Sequence, residues 1–181
     1  MYEKRIFRYT GNNRKLQEKF LKKEVLKKST LGGILWTLMI GTLSHFFYQW
    51  SGENFFVGLL SPVNETIWEH LKLLFFPALF YMLGEKAWLE DRYPGRFCEN
   101  LRGLWAGLAV MPVLYYGYTL FTGKDYLWAD IGIFIISVLT AFLVPYFLRN
   151  RPVGSCSLRR NLLVLMVLLI LFFLVSVSFM R

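Results

Sequence analysis

Residues 61–72 read SPVNETIWEHLK and continue without a break into an apolar stretch that ends near Leu83. The segment places two carboxylates, an imidazole and an ammonium where a hydrophobic helix begins. A charged side chain at membrane depth costs a few kcal/mol even on the most lenient insertion scales. We therefore expect these charged side chains to form part of a functional site.

The composition is that of a multi-pass membrane protein. Hydrophobic residues make up 55% and aromatic residues 18% of the 181 residues, and the mean hydropathy is +0.40. Such values are atypical of a soluble domain. The sequence has no glycine-rich phosphate loop, G-x-S-x-G elbow or CxxC pair, which argues against nucleotide chemistry, and nucleic acid is not an expected partner.

Five apolar stretches are long enough to cross a bilayer, which takes roughly 20 helical residues. They predict an all-α bundle of five transmembrane helices at about residues 31–50, 63–84, 103–122, 127–148 and 161–180. This domain, residues 31–181, follows a basic leader, residues 1–30, with ten Lys and Arg against three acidic residues. Apolar residues interleaved with the charges predict an amphipathic leader helix, either solvated or lying on anionic lipid headgroups.

The basic residues also predict the orientation of the chain. With the N-terminus in the cytosol, 18 of the 21 Lys and Arg fall on the cytosolic side and two on the outer side. This asymmetry follows the positive-inside rule and places the C-terminus outside. Cys98 and Cys156 then lie on cytosolic loops, where thiols stay reduced, so neither a disulfide nor a thiolate metal site is expected.

The ionisable groups of the predicted spans collect near the outer surface. At about 1.5 Å of rise per residue, they lie at similar depth on three different helices. We expect one outward-opening polar cavity there and no comparable groups in the inner half of the bundle. The candidate metal ligands are His45, Glu65, Glu69, His70 and Asp130, and the supporting residues are Asn64, Trp68, Lys72, Tyr115 and Tyr118.

The spacing within the second predicted helix adds a constraint. At about 100° per residue, Glu65, Glu69 and Lys72 share one face, and Lys72 can neutralise Glu69 one turn away. One carboxylate and the imidazole of His70 must then be satisfied by another helix or by a ligand. Glu65 and Glu69 are the candidate catalytic carboxylates.

Residues 63–72, VNETIWEHLK, resemble the V-N-E-x-x-W-E-H-x-K signature of a family of small bacterial multi-pass membrane proteins of unknown function. The resemblance extends over the predicted helices and implies a location in the bacterial inner membrane. It implies no activity, so the function has to be inferred from the site.

Four functions fit the predicted site. Mixed imidazole and carboxylate ligands suit Zn²⁺ or another divalent metal, and an activated water could hydrolyse an ester or amide at the outer leaflet. The lack of an HExxH motif and the adjacency of Glu69 and His70 count against this function. Carboxylate, histidine and lysine on a kinked helix also suit a small proton-coupled transporter or a substrate-binding subunit.

The other two functions are a haem held between His45 and His70 and a purely structural or partner-docking cluster. Two carboxylates beside His70 are unfavourable to haem. Assembly as a homo-oligomer, or with a membrane partner, is compatible with each of the four.

Overall fold

The computed structural model describes residues 2–148 and 156–180, with side chains for residue 17 and residues 20–147 and 156–180. The predicted all-α class is confirmed for this part of the chain. The leader and the first predicted span form one continuous helix. The helices are α1 (Tyr2–Trp50), α2 (Phe55–Leu60), α3 (Ile67–Leu89), α4 (Arg96–Thr122), α5 (Leu127–Leu148) and α6 (Leu158–Phe179).

Some residues used in the orientation argument lie outside the described part of the chain. They are the basic side chains of the leader up to Lys19, together with Arg149, Arg151 and Arg181. The other four basic residues of the leader are exposed lysines on α1. They are Lys22, Lys23, Lys27 and Lys28.

Four helices of the described chain, rather than the predicted five, are long and apolar enough to cross a membrane. They are Phe20–Trp50, Arg96–Thr122, Leu127–Phe147 and Leu158–Phe179. The second predicted span, at 63–84, corresponds to α3, which carries Glu69, Lys72 and Glu85 in buried positions. These charges make α3 too polar to face lipid, and it accommodates them because other helices surround it.

α3 is the centre of the bundle. Its side chains Leu74, Phe75, Ala78 and Met82 are almost completely buried, and it packs against α1 on one side and α4 on the other. α6 is the opposite case, because most of its apolar side chains are exposed. A long helix with exposed apolar side chains suits a lipid-facing position.

α1 packs closely on α3 beside Pro77. Pro77 has no backbone N–H, so the carbonyl of Leu73 lacks its helical partner. A Cβ added to Gly41 of α1 would lie 2.5 Å from that carbonyl oxygen, so only glycine allows this approach. Five residues before Gly41, the indole N–H of Trp36 donates to the carbonyl of Pro77 at 3.1 Å.

Small residues bring α4 equally close to α5. A Cβ added to Gly103 would contact the carbonyl oxygen of Ala141, and one added to Gly107 would lie 2.6 Å from the carbonyl oxygen of Ser137. The sequence predicts this close packing from the spacing of the two glycines, and the structure confirms it.

Cys98 and Cys156 form a disulfide, with Cα atoms 6.1 Å apart. This corrects the expectation that the two thiols are unpaired. Cys98 lies in the first turn of α4 and Cys156 just before α6, and both helices begin at the same end of the bundle. The predicted topology assigns both cysteines to the same side of the membrane. It gives no information about the distance between the two loops that carry them.

Replacing Gly107 with Ala should destabilise the bundle by about 1–3 kcal/mol, because the new methyl group would overlap the α5 backbone. Gly117→Ala in the same helix is the matched control, since no described residue of another helix has an atom within 4 Å of its added Cβ. The higher helix propensity of Ala should stabilise that variant by about 0.5–1 kcal/mol. Thermal unfolding in one detergent measures both, and equal midpoints would contradict the close contact.

Candidate functional site

The segment before α3 is held in a turn by its own side chains. Asn64 Oδ1 accepts hydrogen bonds from the backbone N–H of Thr66 at 3.1 Å and from its hydroxyl at 2.7 Å. Thr66 is the N-cap of α3, and its hydroxyl oxygen accepts from the backbone N–H of Glu69 at 3.4 Å. The helix therefore begins at Ile67, and not near Val63 as the sequence predicts.

This later start separates the two glutamates that were predicted to share a face. Glu65 lies outside the helix, so helical spacing does not apply to it. Its Oε1 lies 3.6 Å from His45 Nε2 and its Oε2 lies 3.4 Å from His70 Nε2. The side chain of Glu65 is 79% exposed, so the carboxylate bridges the two imidazoles at a position that solvent can reach.

His45, Glu65 and His70, here called the triad, offer three ligand atoms within 4.8 Å of one another. The two imidazole ring centroids are 5.4 Å apart. A tetrahedral Zn²⁺ with bonds of about 2.0–2.2 Å to nitrogen and oxygen spaces its ligand atoms roughly 3.4 Å apart. The two carboxylate–imidazole distances are close to that spacing.

The hydrogen bonding of His70 determines which of its nitrogens is available. Nδ1 donates to the backbone carbonyl of Thr66 at 2.9 Å, because a carbonyl can only accept. In the neutral ring Nε2 then directs a lone pair toward Glu65, which repels it unless a proton or a cation lies between them. A histidine whose other ring N–H is held by a carbonyl is typical of metal ligation.

The triad lines a cavity of about 340 Å³ formed by α1, α3, α4, α5 and the turn before α5. Tyr115, Asp125 and Asp130 also line it, so Asp130 shares the cavity but is not one of the three converging residues. Asp130 Oδ1 accepts from the Tyr118 hydroxyl at 2.7 Å. The rest of the wall is mostly apolar.

A family model matches residues 18–180 and is described as a family of unknown function, DUF6512. The chain belongs to this family. No curated protein and no solved structure has significant similarity to it. Family membership agrees with the resemblance found in residues 63–72 and assigns no activity, so the function of this DUF6512 protein depends on the geometry of its site.

Glu69 and Lys72 form a buried ion pair away from the triad. Lys72 Nζ lies 2.7 Å from Glu69 Oε2, and both side chains are 0% exposed. The ammonium also donates to the backbone carbonyls of Gly58 at 2.9 Å and Ser61 at 3.3 Å. Lys72 thereby satisfies carbonyls at the C-terminal end of α2, where a positive charge is favourable.

The carboxylate of Glu69 connects two further segments. Oε2 accepts from the backbone N–H of Val63 at 3.0 Å, and Oε1 accepts from the Ser176 hydroxyl of α6 at 3.1 Å. One residue earlier, Trp68 packs on Phe172 of α6 with ring centroids 5.2 Å apart. The carboxylate of Glu69 thus makes structural contacts within the bundle. The structure does not place it with the other candidate metal ligands or catalytic groups.

A second buried polar cluster lies at the opposite end of α3. Glu85 accepts from the hydroxyl of Ser29 at 2.6 Å, from Arg96 Nε at 3.3 Å and from the side-chain amide of Asn100. Arg96, which is 1% exposed, also donates to the Thr30 hydroxyl at 3.3 Å. The prediction that the inner half lacks such groups is wrong. In the sequence, Glu85 and Arg96 fall in a predicted loop, but in the structure their side chains lie between the helices. No local sequence pattern distinguishes such residues from loop residues that face water.

Lys72→Met should lower the free energy of unfolding by about 3–5 kcal/mol, because the Glu69 carboxylate would remain buried without a cation. The double variant Glu69→Gln/Lys72→Met should lose less than the sum of the two single variants, since it leaves no buried charge at this site. Lys124→Met, at an exposed lysine, is the control. Unfolding midpoints in detergent compare these four variants with the wild type, and strict additivity of the two substitutions would contradict the buried pair.

Proposed function

We propose that this DUF6512 protein binds a divalent metal ion through His45, Glu65 and His70. The observation that supports this most directly is the convergence of three ligand atoms from α1, the turn before α3 and α3 itself, with His70 Nε2 3.4 Å from Glu65 Oε2. Two imidazoles and one carboxylate suit Zn²⁺ and other first-row ions. Asp130 accepts a hydrogen bond from Tyr118, and Glu69 forms an ion pair with Lys72. Neither carboxylate is therefore a ligand in the proposed site.

We further propose that the metal serves metal-dependent hydrolysis of an ester or amide. Three protein ligands leave one coordination position of a tetrahedral ion open, which is typical of catalytic rather than structural zinc. The adjoining cavity provides space for a water and a substrate at that position. The ion would supply Lewis acidity and a water that is acidified by coordination.

The geometry favours this function over the other candidates. A haem between His45 and His70 would have to occupy the position of the Glu65 carboxylate, which lies within 3.6 Å of both imidazoles. A transport path from the cavity to the other end of the bundle would have to pass the fully buried core around Leu74, Phe75 and Ala78. A purely structural cluster would need only a proton between His70 and Glu65, but it would not need the adjoining cavity, which three ligand atoms line.

We propose that the protein lies in a bacterial inner membrane with its N-terminus in the cytosol and its C-terminus outside. α3 would then be a fifth crossing, shielded from lipid by its neighbours, and the triad would face outward. The exposed lysines of α1 would lie against anionic headgroups. The Cys98–Cys156 disulfide favours an oxidising compartment for its end of the bundle. The distribution of basic residues is the stronger indicator of orientation, because this orientation places 18 of the 21 Lys and Arg on the cytosolic side.

Cysteine labelling tests both the orientation and the crossing by α3. In a Cys98→Ser/Cys156→Ser background, a membrane-impermeant maleimide added to intact cells should label Glu53→Cys and should not label Asp91→Cys. Both positions are exposed, Glu53 between α1 and α2 and Asp91 between α3 and α4. The reverse pattern would contradict the orientation, and equal labelling of the two would contradict a crossing by α3. Permeabilised cells, in which both should react, provide the control.

Metal content tests the proposed site. Purified wild-type protein, analysed by mass spectrometry of the elements, should contain a stoichiometric divalent metal or take up Zn²⁺ after chelation. His45→Ala, Glu65→Gln and His70→Ala should each lose the metal, because two remaining ligands bind it too weakly to survive gel filtration. Glu53→Gln removes an exposed carboxylate outside the triad and should retain the metal. Wild-type protein that takes up no metal, or Glu65→Gln protein that takes up as much, would contradict the site.

A further inference from the structure

The charges on the cavity wall have one sign. Glu65, Asp125 and Asp130 contribute three carboxylates, and no Lys or Arg of the described residues lines the cavity. With neutral imidazoles the formal charge of the wall is −3, and a divalent ion at the triad would change it to −1. The cavity is therefore electronegative with or without a metal.

The aspartates of the cavity differ from the buried carboxylates elsewhere in the bundle. Glu69 has Lys72 as its cation and Glu85 has Arg96. Among the described residues, neither Asp125 nor Asp130 takes part in an ion pair. Asp130 instead accepts from the Tyr118 hydroxyl, a neutral group that orients the carboxylate without cancelling its charge.

Tyr118 is itself held in place, since its oxygen accepts from the backbone N–H of Tyr126 at 3.2 Å. The position of Asp130 is thus determined by a hydrogen-bond chain rather than by a counter-ion. In a cleft with low-dielectric walls, uncompensated carboxylates attract cations more strongly than they would in water.

The remaining wall of the cavity is apolar and includes Leu73, Met111, Ile133 and Phe134. A metal ion or a small hydrated cation would leave this surface in contact with water. A molecule with an apolar body and a cationic end would cover the apolar wall and meet the aspartates at the same time.

We infer that the cavity binds an organic cation, in which an ammonium group meets Asp125 and Asp130 and an apolar body lies against Met111, Ile133 and Phe134. The inference rests on the proposed function in one respect, because it names the substrate class of the same site. A substrate of the proposed hydrolase would carry its ammonium at the aspartates and its ester or amide at the triad. The charge of the cavity does not itself depend on a bound metal.

Three probes with the same phenyl body separate charge from shape. They are trimethyl(2-phenylethyl)ammonium, 2-phenylethanol and phenylacetate. The quaternary ammonium has no lone pair, so it cannot bind by ligating a metal. Calorimetric titration of the full chain in discs of zwitterionic lipid should show the cation binding at least about tenfold more tightly than the neutral alcohol, with the anion weakest. The preference for the cation should shrink as salt is added.

Two variants test the assignment to the aspartates. Asp130→Asn keeps an acceptor for Tyr118 and removes one charge, and Asp125→Asn/Asp130→Asn removes both. The double variant should lose the preference for the cation while its metal content and unfolding midpoint stay those of the wild type. Glu53→Gln, an exposed carboxylate outside the cavity, should keep the preference.

The cation site and the metal site can fail independently of each other. Equal binding of cation and alcohol by the wild type, or an unchanged preference in the double variant, would overturn the inference. Loss of metal from Asp130→Asn would also overturn it, since Asp130 would then be a ligand. Wild-type protein that takes up no metal and still prefers the cation would overturn the metal site alone and support the cation site.

Discussion

The buried pair of Glu69 and Lys72 is the interaction on which the candidate site depends. Two charges that are removed from water are unfavourable unless every remaining donor and acceptor is satisfied. Here the partners are the Gly58 carbonyl at the end of α2, backbone groups of the segment that joins α2 to α3, and the Ser176 hydroxyl of α6. The pair therefore fixes the course of that segment, and Glu65, two residues after Val63, reaches His45 and His70 because the segment is fixed.

The same principle explains why α3 is the centre of the bundle. A membrane offers no water to satisfy polar groups, so they have to be paired inside the protein. α3 carries a charged pair near its beginning and contributes Glu85 to another near its end, with an apolar core between them. Only a helix enclosed by others can carry both, whereas α6 faces outward with almost uninterrupted apolar side chains. The glycines of α1 and α4 allow their neighbours to approach closely enough to enclose the core.

Charges that hold the fold and charges available to a ligand can be distinguished by their partners. Lys72 pairs with Glu69 and Arg96 with Glu85 inside the protein. Glu65 contacts two histidines that are charged only when protonated, and Asp130 contacts a tyrosine hydroxyl. The carboxylates of the cavity thus remain available for cations from outside the chain, whether a metal ion at the triad or an ammonium at the aspartates. Both proposals follow from this single difference.

The sequence alone determined the helical class, the membrane character, the close packing at Gly103 and Gly107, and the concentration of ionisable side chains in residues 61–72. These features follow from hydropathy and spacing within short stretches, which are local properties. Helical spacing wrongly grouped Glu65 with Glu69, because the Thr66 cap delays the start of α3. Only the tertiary structure decided the convergence of the triad, the buried Glu85 cluster, the disulfide and the enclosed position of α3. Each depends on groups that are far apart in the chain, and their distances are set by how the helices pack.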